Sequence, residues 1–296
     1  MNDQPMPIIL KTMIGDYPIT HLFRSGHLSS PRYAFEFADV KVPNTAFKRM
    51  VRNLEFDVSE LAIVTFLQAL DAGIPLVLLP AVIVSRYQHP FLMFDSRRGI
   101  IRPQDLRGKR IGVRSYSVTT VAWIRGMLQA EFGIEPHHNR WVAFDEGHVA
   151  QWVDPHWVER ADPAADMLQM LEAGELDAAV LAAAPADKPH IQPVFANPAE
   201  QSQRWFDRHG VIQINHMIAL KRSLVEQHPD VAKTVMALIA ESADRGLSDA
   251  DRPAHPLGLT KLRPHLEHAI EMVHRQGLIR ERFSVESLFH PTSQID

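Results

Sequence analysis

An α/β fold in two units is what this chain predicts, and three observations carry the prediction. Short apolar runs of strand length alternate with segments of helical period, a second such series opens near residue 90, and the last third is helical. Alternation of this kind favours sheets covered by helices over an all-helical or all-strand architecture.

The elements follow in order. PIILKTMIG (7–15) reads as a first strand and YAFEFADV (33–40) as a second. VPNTAFKRMVRNL (42–54) is a helix with Pro43 or Asn44 near its start. EFDVSELAIVTFLQALDAG is a short strand that turns into a helix stopping at Gly73. IPLVLLPAVIV (74–84) and PFLMFD (90–95) are further strands. In the second series PQDLRGKRIGV (103–113) is a helical turn and then a strand. SVTTVAWIRGMLQAEFGI (117–134) is an amphipathic helix with Ser117 as N-cap and Gly133 just past its end. RWVAF, DPAADMLQMLEAGEL and DAAVLAAA continue as strand, helix and strand, while residues 145–162 read as an ordered loop. GVIQINHMIAL (210–220) has the β-branched content of a buried strand, and three helical stretches beginning at Ser223, Leu257 and Val285 close the chain.

Composition narrows the function. With 296 residues, 46% hydrophobic, and a formal net charge of −4, the chain can bury an ample core and has no bias towards nucleic acid. The absence of cysteine removes disulfides, thiolate metal sites and thiol nucleophiles. No segment approaches the roughly 20 apolar residues of a membrane helix. The N-terminal stretch lacks the pattern of an export signal, so a cytoplasmic location is expected. P-loop, GxGxxG, GxSxG and HExxH motifs are absent. HLEH (265–268) has metal-compatible spacing but no third ligand nearby, and a helix face explains it; no metal is expected.

Four local features could carry chemistry. Gly15-Asp16-Tyr17 sits at the carboxyl end of the first strand, the edge where open α/β sheets hold ligands, although a plain turn would use the same residues. FDVSEL brings Asp57, Ser59 and Glu60 to a strand-to-helix corner, where capping is the simpler explanation. VRSYSVTTVAW opens a helix through a turn bearing Ser115, Tyr116, Ser117, Thr119 and Thr120. One cap accounts for one serine, whereas hydroxyls and free N–H groups together suit a carboxylate or phosphate. SRYQHP places Arg86 and His89 after a strand, where an arginine serves either as a carboxylate fork or as a structural ion pair. Within GVIQINHMIAL, His216 shares a face with Ile212, Ile214, Ile218 and Leu220, and Asn215 takes the other. A histidine on so apolar a face needs partners for its nitrogens.

Taken in order, FDVSEL, the proline-containing strand ending in SR, DLRGKRIGV with the SYSVTTVAWIRGMLQAEFGI helix, LEAGELDAAVLAA, GVIQINHMIAL and HPLGLTKLR…RQGLIRERFSVESLF make a pattern spanning most of the chain. That pattern resembles the 4,5-dihydroxyphthalate decarboxylase family, with His216 at the family's strand histidine. It departs from it at Leu257-Gly258, where a tyrosine-glycine pair is usual. The resemblance implies a two-lobed, periplasmic-binding-protein-like (type II) α/β fold with two crossing strands at the hinge. It implies a first lobe of 1–89 and 212–296, a second of 90–211, and a ligand cleft between them.

The same resemblance implies a decarboxylase acting on a hydroxylated aromatic acid without an organic cofactor. Such a site needs a cationic clamp, a proton donor and a polar partner for ring hydroxyls. Arg86 is then expected as clamp and the Ser115–Thr120 turn as the seat of a second carboxylate. His216 is expected as proton donor or phenol base, and Glu60 or Asp57 to orient it or to hold a catechol hydroxyl. Asp16, Tyr17 and Ser59 complete the substrate contacts. The expected partner is a small aromatic carboxylate, with no nucleic acid and no membrane; a homo-oligomer is left open. The alternative is a solute-binding or sensing protein with the same parts and no chemistry.

Overall fold

The computed structural model describes residues 6–296, so the start of the N-terminal stretch read for an export signal lies outside the described residues. By contacts the chain divides into two units. The first comprises the described residues through Arg86, with Ile214–Glu271 and Ile279–Asp296, and the second comprises Tyr87–Gln213 with Met272–Leu278. The sequence puts the whole of 212–296 in the first lobe, whereas Met272–Leu278 group with the second unit.

The elements run β1 (Ile8–Met13), α1 (His21–Arg24), β2 (Tyr33–Phe37), α2 (Phe47–Asn53), β3 (Val58–Ala62), α3 (Ile63–Asp71) and β4 (Leu76–Ser85) in the first unit. The second unit holds β5 (Leu92–Asp95), β6 (Arg110–Val113), α4 (Thr119–Phe132), β7 (Arg140–Ala143), β8 (Val158–Arg160), α5 (Met167–Ala173), β9 (Ala178–Val180), β10 (Ile191–Pro193) and α6 (Pro198–His209). The chain then returns with β11 (Ile214–Lys221), α7 (Arg222–Gln227), α8 (Val231–Gly246) and α9 (Leu259–Arg275).

The first sheet has the order β2-β1-β3-β11-β4, with β1 parallel to β2 and β3, and β11 antiparallel to both β3 and β4. Its core gathers Leu10, Ile14, Val77, Leu79, Ile218 and Leu220 against Val235 and Ile239 of α8. β4 is buried along most of its length and tolerates Pro80 because that residue faces outward from the sheet, its carbonyl accepting from Gly258 N at 2.9 Å. N–H and C=O of one strand residue point the same way, so the missing N–H removes no bond to β11. The second sheet runs β10-β5-β9-β6-β7-β8, with β6 parallel to β7 and β9, and β5 antiparallel to β9 and β10.

The stretch 145–162, read as a loop, contains β8, and three boundaries near candidate residues also differ from the sequence expectation. The 42–54 helix starts only at Phe47, after a separate 3-10 turn at Pro43–Thr45. FDVSEL is not the corner: β3 continues to Ala62, and α3 starts there without a side-chain cap. Ser117 is likewise not the N-cap of α4; Val118 is, and it makes no side-chain cap bond. Hydroxyls and acids on these segments therefore remain available for other contacts. Among the described residues, no helix is long and apolar enough to cross a membrane.

Candidate active site

Glu60 is the centre of the first unit's polar group. It points from the middle of β3 into a fully buried position, and three donors converge on its carboxylate. Gly15 N donates to Oε2 at 2.8 Å, the Tyr17 hydroxyl donates to Oε1 at 2.9 Å, and His216 Nδ1 lies 2.6 Å from the same Oε1. Strand pairing explains the last contact. His216 pairs with Ala62 and Ile218 with Glu60 across the antiparallel β3–β11 ladder, so His216 and Glu60 are same-face diagonal neighbours.

A carboxylate that accepts from His216 assigns the ring hydrogen to Nδ1. No hydrogen bond from the described residues reaches Nε2, and the side chain that carries it is 21% exposed. The buried Phe47 ring stands edge-on to the imidazole, with centroids 5.2 Å apart at 89°, and fixes its plane. Burial pushes the Tyr17 hydroxyl far above its ordinary value, and the Glu60 charge pushes it further; Arg86 and Arg24 oppose the rise. Tyr17 therefore stays protonated and donates to Glu60.

Not every expected residue joins this group. Asp57 lies before β3 and its carboxylate is engaged by Lys221 Nζ at 2.8 Å and the backbone N of Lys11 at 2.9 Å. It is a structural tie between β1, β3 and β11, and orients neither His216 nor Glu60. The Ser59 hydroxyl is fully buried and donates to the Glu60 carbonyl at 2.8 Å. Asp16 is exposed and pairs with His21 Nδ1 at 2.9 Å. Arg86 follows β4 directly, exposed, with its charge acting on Tyr17.

In the second unit the turn between β6 and α4 carries the hydroxyls. Ser115, Ser117 and Thr119 are buried, and Thr120 is half-buried. Tyr116, expected as a substrate contact, is packed in the core. Its ring is fully buried edge-on to Trp141, and Trp157 Nε1 donates to its hydroxyl at 3.2 Å. Apolar burial of the ring outweighs anything an exposed phenol could gain at this position. His89, noted beside Arg86, is also internal: it meets Ser202 Oγ at 3.1 Å and burial pushes it down to about 4.

Sequence reasoning missed Phe47 and Arg125, and read Gly15 only as part of a turn. A Cβ on Gly15 would lie 2.5 Å from Cζ of Tyr17, so only glycine leaves room for the phenol over the turn. Arg125 had a signal that went unused: a charged residue among the apolar positions of VAWIRGML. Among the described residues, no group of three or more His, Cys, Asp or Glu side chains is placed to hold a metal ion.

The fold and the site define a class: a two-lobed α/β protein of the periplasmic-binding-protein type, with a buried carboxylate–histidine pair in its first unit. Residues 41–251 match the family model described as NMT1/THI5 like, and the chain belongs to that family. It is 24% identical over 293 residues to a 4,5-dihydroxyphthalate decarboxylase of Comamonas testosteroni, covering 85% of this chain and 87% of the relative. It is 28% identical over 176 residues to the 4,5-dihydroxyphthalate decarboxylase of Pseudomonas putida, covering 55% and 68%. Among solved structures, the periplasmic aliphatic sulphonate binding protein of Escherichia coli superposes with a TM-score of 0.62 at 12% identity, covering 98% of this chain and 94% of that one. These matches bear out the resemblance and the fold class read from the residues alone.

Proposed function

We propose that the chain is a carboxy-lyase that removes one carboxylate from a hydroxylated aromatic acid of the 4,5-dihydroxyphthalate type. The observation that carries this reading is the His216–Glu60 pair: Nδ1 held at 2.6 Å by a buried carboxylate, with Nε2 left to exchange a proton. The names of the two similar decarboxylases supply the substrate class.

The chemistry uses the substrate's own hydroxyl as electron source. His216 Nε2 takes the proton of a phenol para to a carboxylate, and the phenolate raises electron density at the carboxylate-bearing carbon. Nε2 returns that proton to this carbon. The bond to the carboxylate then breaks, carbon dioxide leaves, and the bonding pair restores the aromatic ring. The remaining phenolate takes a proton from water, so one proton is consumed per turnover. Glu60 stabilises the imidazolium between the two transfers, and Tyr17 and Gly15 hold Glu60 in place. Arg86 serves as clamp for the carboxylate.

The test is a His216→Ala variant, checked for fold by circular dichroism and assayed for carbon dioxide release from 4,5-dihydroxyphthalate. Loss of a positioned general acid–base group is expected to lower kcat by roughly 100-fold or more. A folded variant working at the wild-type rate would sink the assignment. Wild-type protein that binds the acid tightly and releases no carbon dioxide would move the reading to a binding protein.

A further inference from the structure

A buried positive charge without a carboxylate partner lies against the turn that leads into α4. Arg125 is 1% exposed. Its Nη1 donates to the carbonyl of Tyr116 at 2.7 Å, its Nε donates to Gln276 Oε1 at 2.8 Å, and its guanidinium covers the Tyr116 ring at 3.8 Å. All three neighbours are neutral groups. Its Nη2 is buried with no hydrogen-bond partner among the described residues. The carboxylate whose charge reaches it, Asp154, is paired with Arg160 at 2.6 Å. Burying a guanidinium is costly unless something returns the lost hydration, and here the visible contacts return only part of it.

A second orphan sits on the same turn. Ser115 Oγ is buried, on a residue 1% exposed, and has no partner among the described residues. α4 is a 14-residue helix that starts at Thr119, and its N-cap residue Val118 makes no side-chain cap bond. The helix N-terminus and the unpartnered hydroxyl both belong to the turn whose Tyr116 carbonyl Arg125 holds, so the positive potentials of helix and guanidinium both act on that turn.

We propose that Arg125 is the positioning residue and buried counter-charge of a carboxylate site on the Ser115–Thr119 turn. Through Nη1 it holds the Tyr116 carbonyl, which sets the turn, and its charge favours a second carboxylate on an aromatic acid. The aromatic dicarboxylate as ligand rests on the function proposed above; the anion site itself does not. A purely structural arginine, tying α4 to Gln276, would instead support every ligand equally.

Calorimetric titration of the full chain with phthalate and benzoate separates these roles, since neither probe carries the hydroxyl that turnover needs. Arg125→Gln is expected to raise the phthalate dissociation constant by about tenfold or more while benzoate moves by less than about threefold, and Arg125→Lys to recover most of the loss. Ser115→Ala removes an unpartnered hydroxyl and is expected to weaken phthalate by about threefold. It decides the matter if Arg125→Gln does not fold. The proposal is overturned if phthalate binds within about twofold of wild type in the folded variant, or if both probes weaken alike. Wild-type protein that binds neither probe overturns it too. Phthalate binding as expected, without carbon dioxide release from the dihydroxy acid, would remove the proposed function and leave the anion site standing.

Discussion

On β11, His216 stands two residues from the position that faces Glu60, and that diagonal gives the imidazole a buried partner. The partner is in turn held by Gly15 and Tyr17 from the end of β1. Space at Gly15 is the most sensitive point of this chain of contacts. A methyl group there would lie 2.5 Å from the Tyr17 ring, so the phenol must swing off Glu60. Gly15→Ala is therefore expected to behave like Tyr17→Phe. Each loses one hydrogen bond to Glu60, costing about 1 kcal/mol and lowering kcat/KM by roughly fivefold with the fold retained. Steady-state assays of the two variants side by side check this; a wild-type rate in Gly15→Ala would break the link.

Whole elements hold the same turn from behind. The C-terminus of α8 passes so near the segment after Tyr17 that a Cβ on Gly246 would lie 2.2 Å from the carbonyl oxygen of Pro18. That oxygen is backbone and cannot rotate away. Gly246→Ala is expected to cost about 2–3 kcal/mol in thermal or urea unfolding, and to lower activity by moving the Tyr17 turn. In the second unit, α6 covers His89 with Ser202, and Phe195 lies edge-on at 5.0 Å. Burial pushes His89 down to about 4 from its ordinary 6.5. Between these two values the unfolded chain binds a proton that the folded chain refuses. Stability is then full above pH 6.5 and falls as pH drops towards 4, by up to roughly 3 kcal/mol from this residue. His89→Phe should flatten that part of a stability–pH profile; an unchanged slope would show that His89 protonates without opening the fold.

At the scale of the molecule, the chain leaves the first unit after Arg86, returns at Ile214, and visits the second again at Met272–Leu278. A ligand that binds only the folded chain stabilises it by mass action. Phthalate at about 100 times its dissociation constant should add about 2.7 kcal/mol and raise Tm by on the order of 5 °C. A scanning fluorimetry series with phthalate, with a neutral diester as control, reads this directly. A Tm that does not move with phthalate would argue against any dicarboxylate site.

Much of this was legible before any coordinates. Apolar strands such as PIILKTMIG and IPLVLLPAVIV, the helix closing at Gly133, and the polar outlier His216 all follow from local period and capping rules. β10 and α6 were not: three residues carry no period, and PAEQSQRWFDRH offers too few apolar positions to mark a helix. By itself the sequence determined the fold class and the family pattern, because these rest on local hydrophobic order and motif succession. Only the tertiary structure decided that Glu60 rather than Asp57 holds His216, that Tyr116 is core, and that Arg125 is buried beside the α4 turn. Those facts depend on strand register and on packing between residues as far as 156 positions apart, which no local window contains.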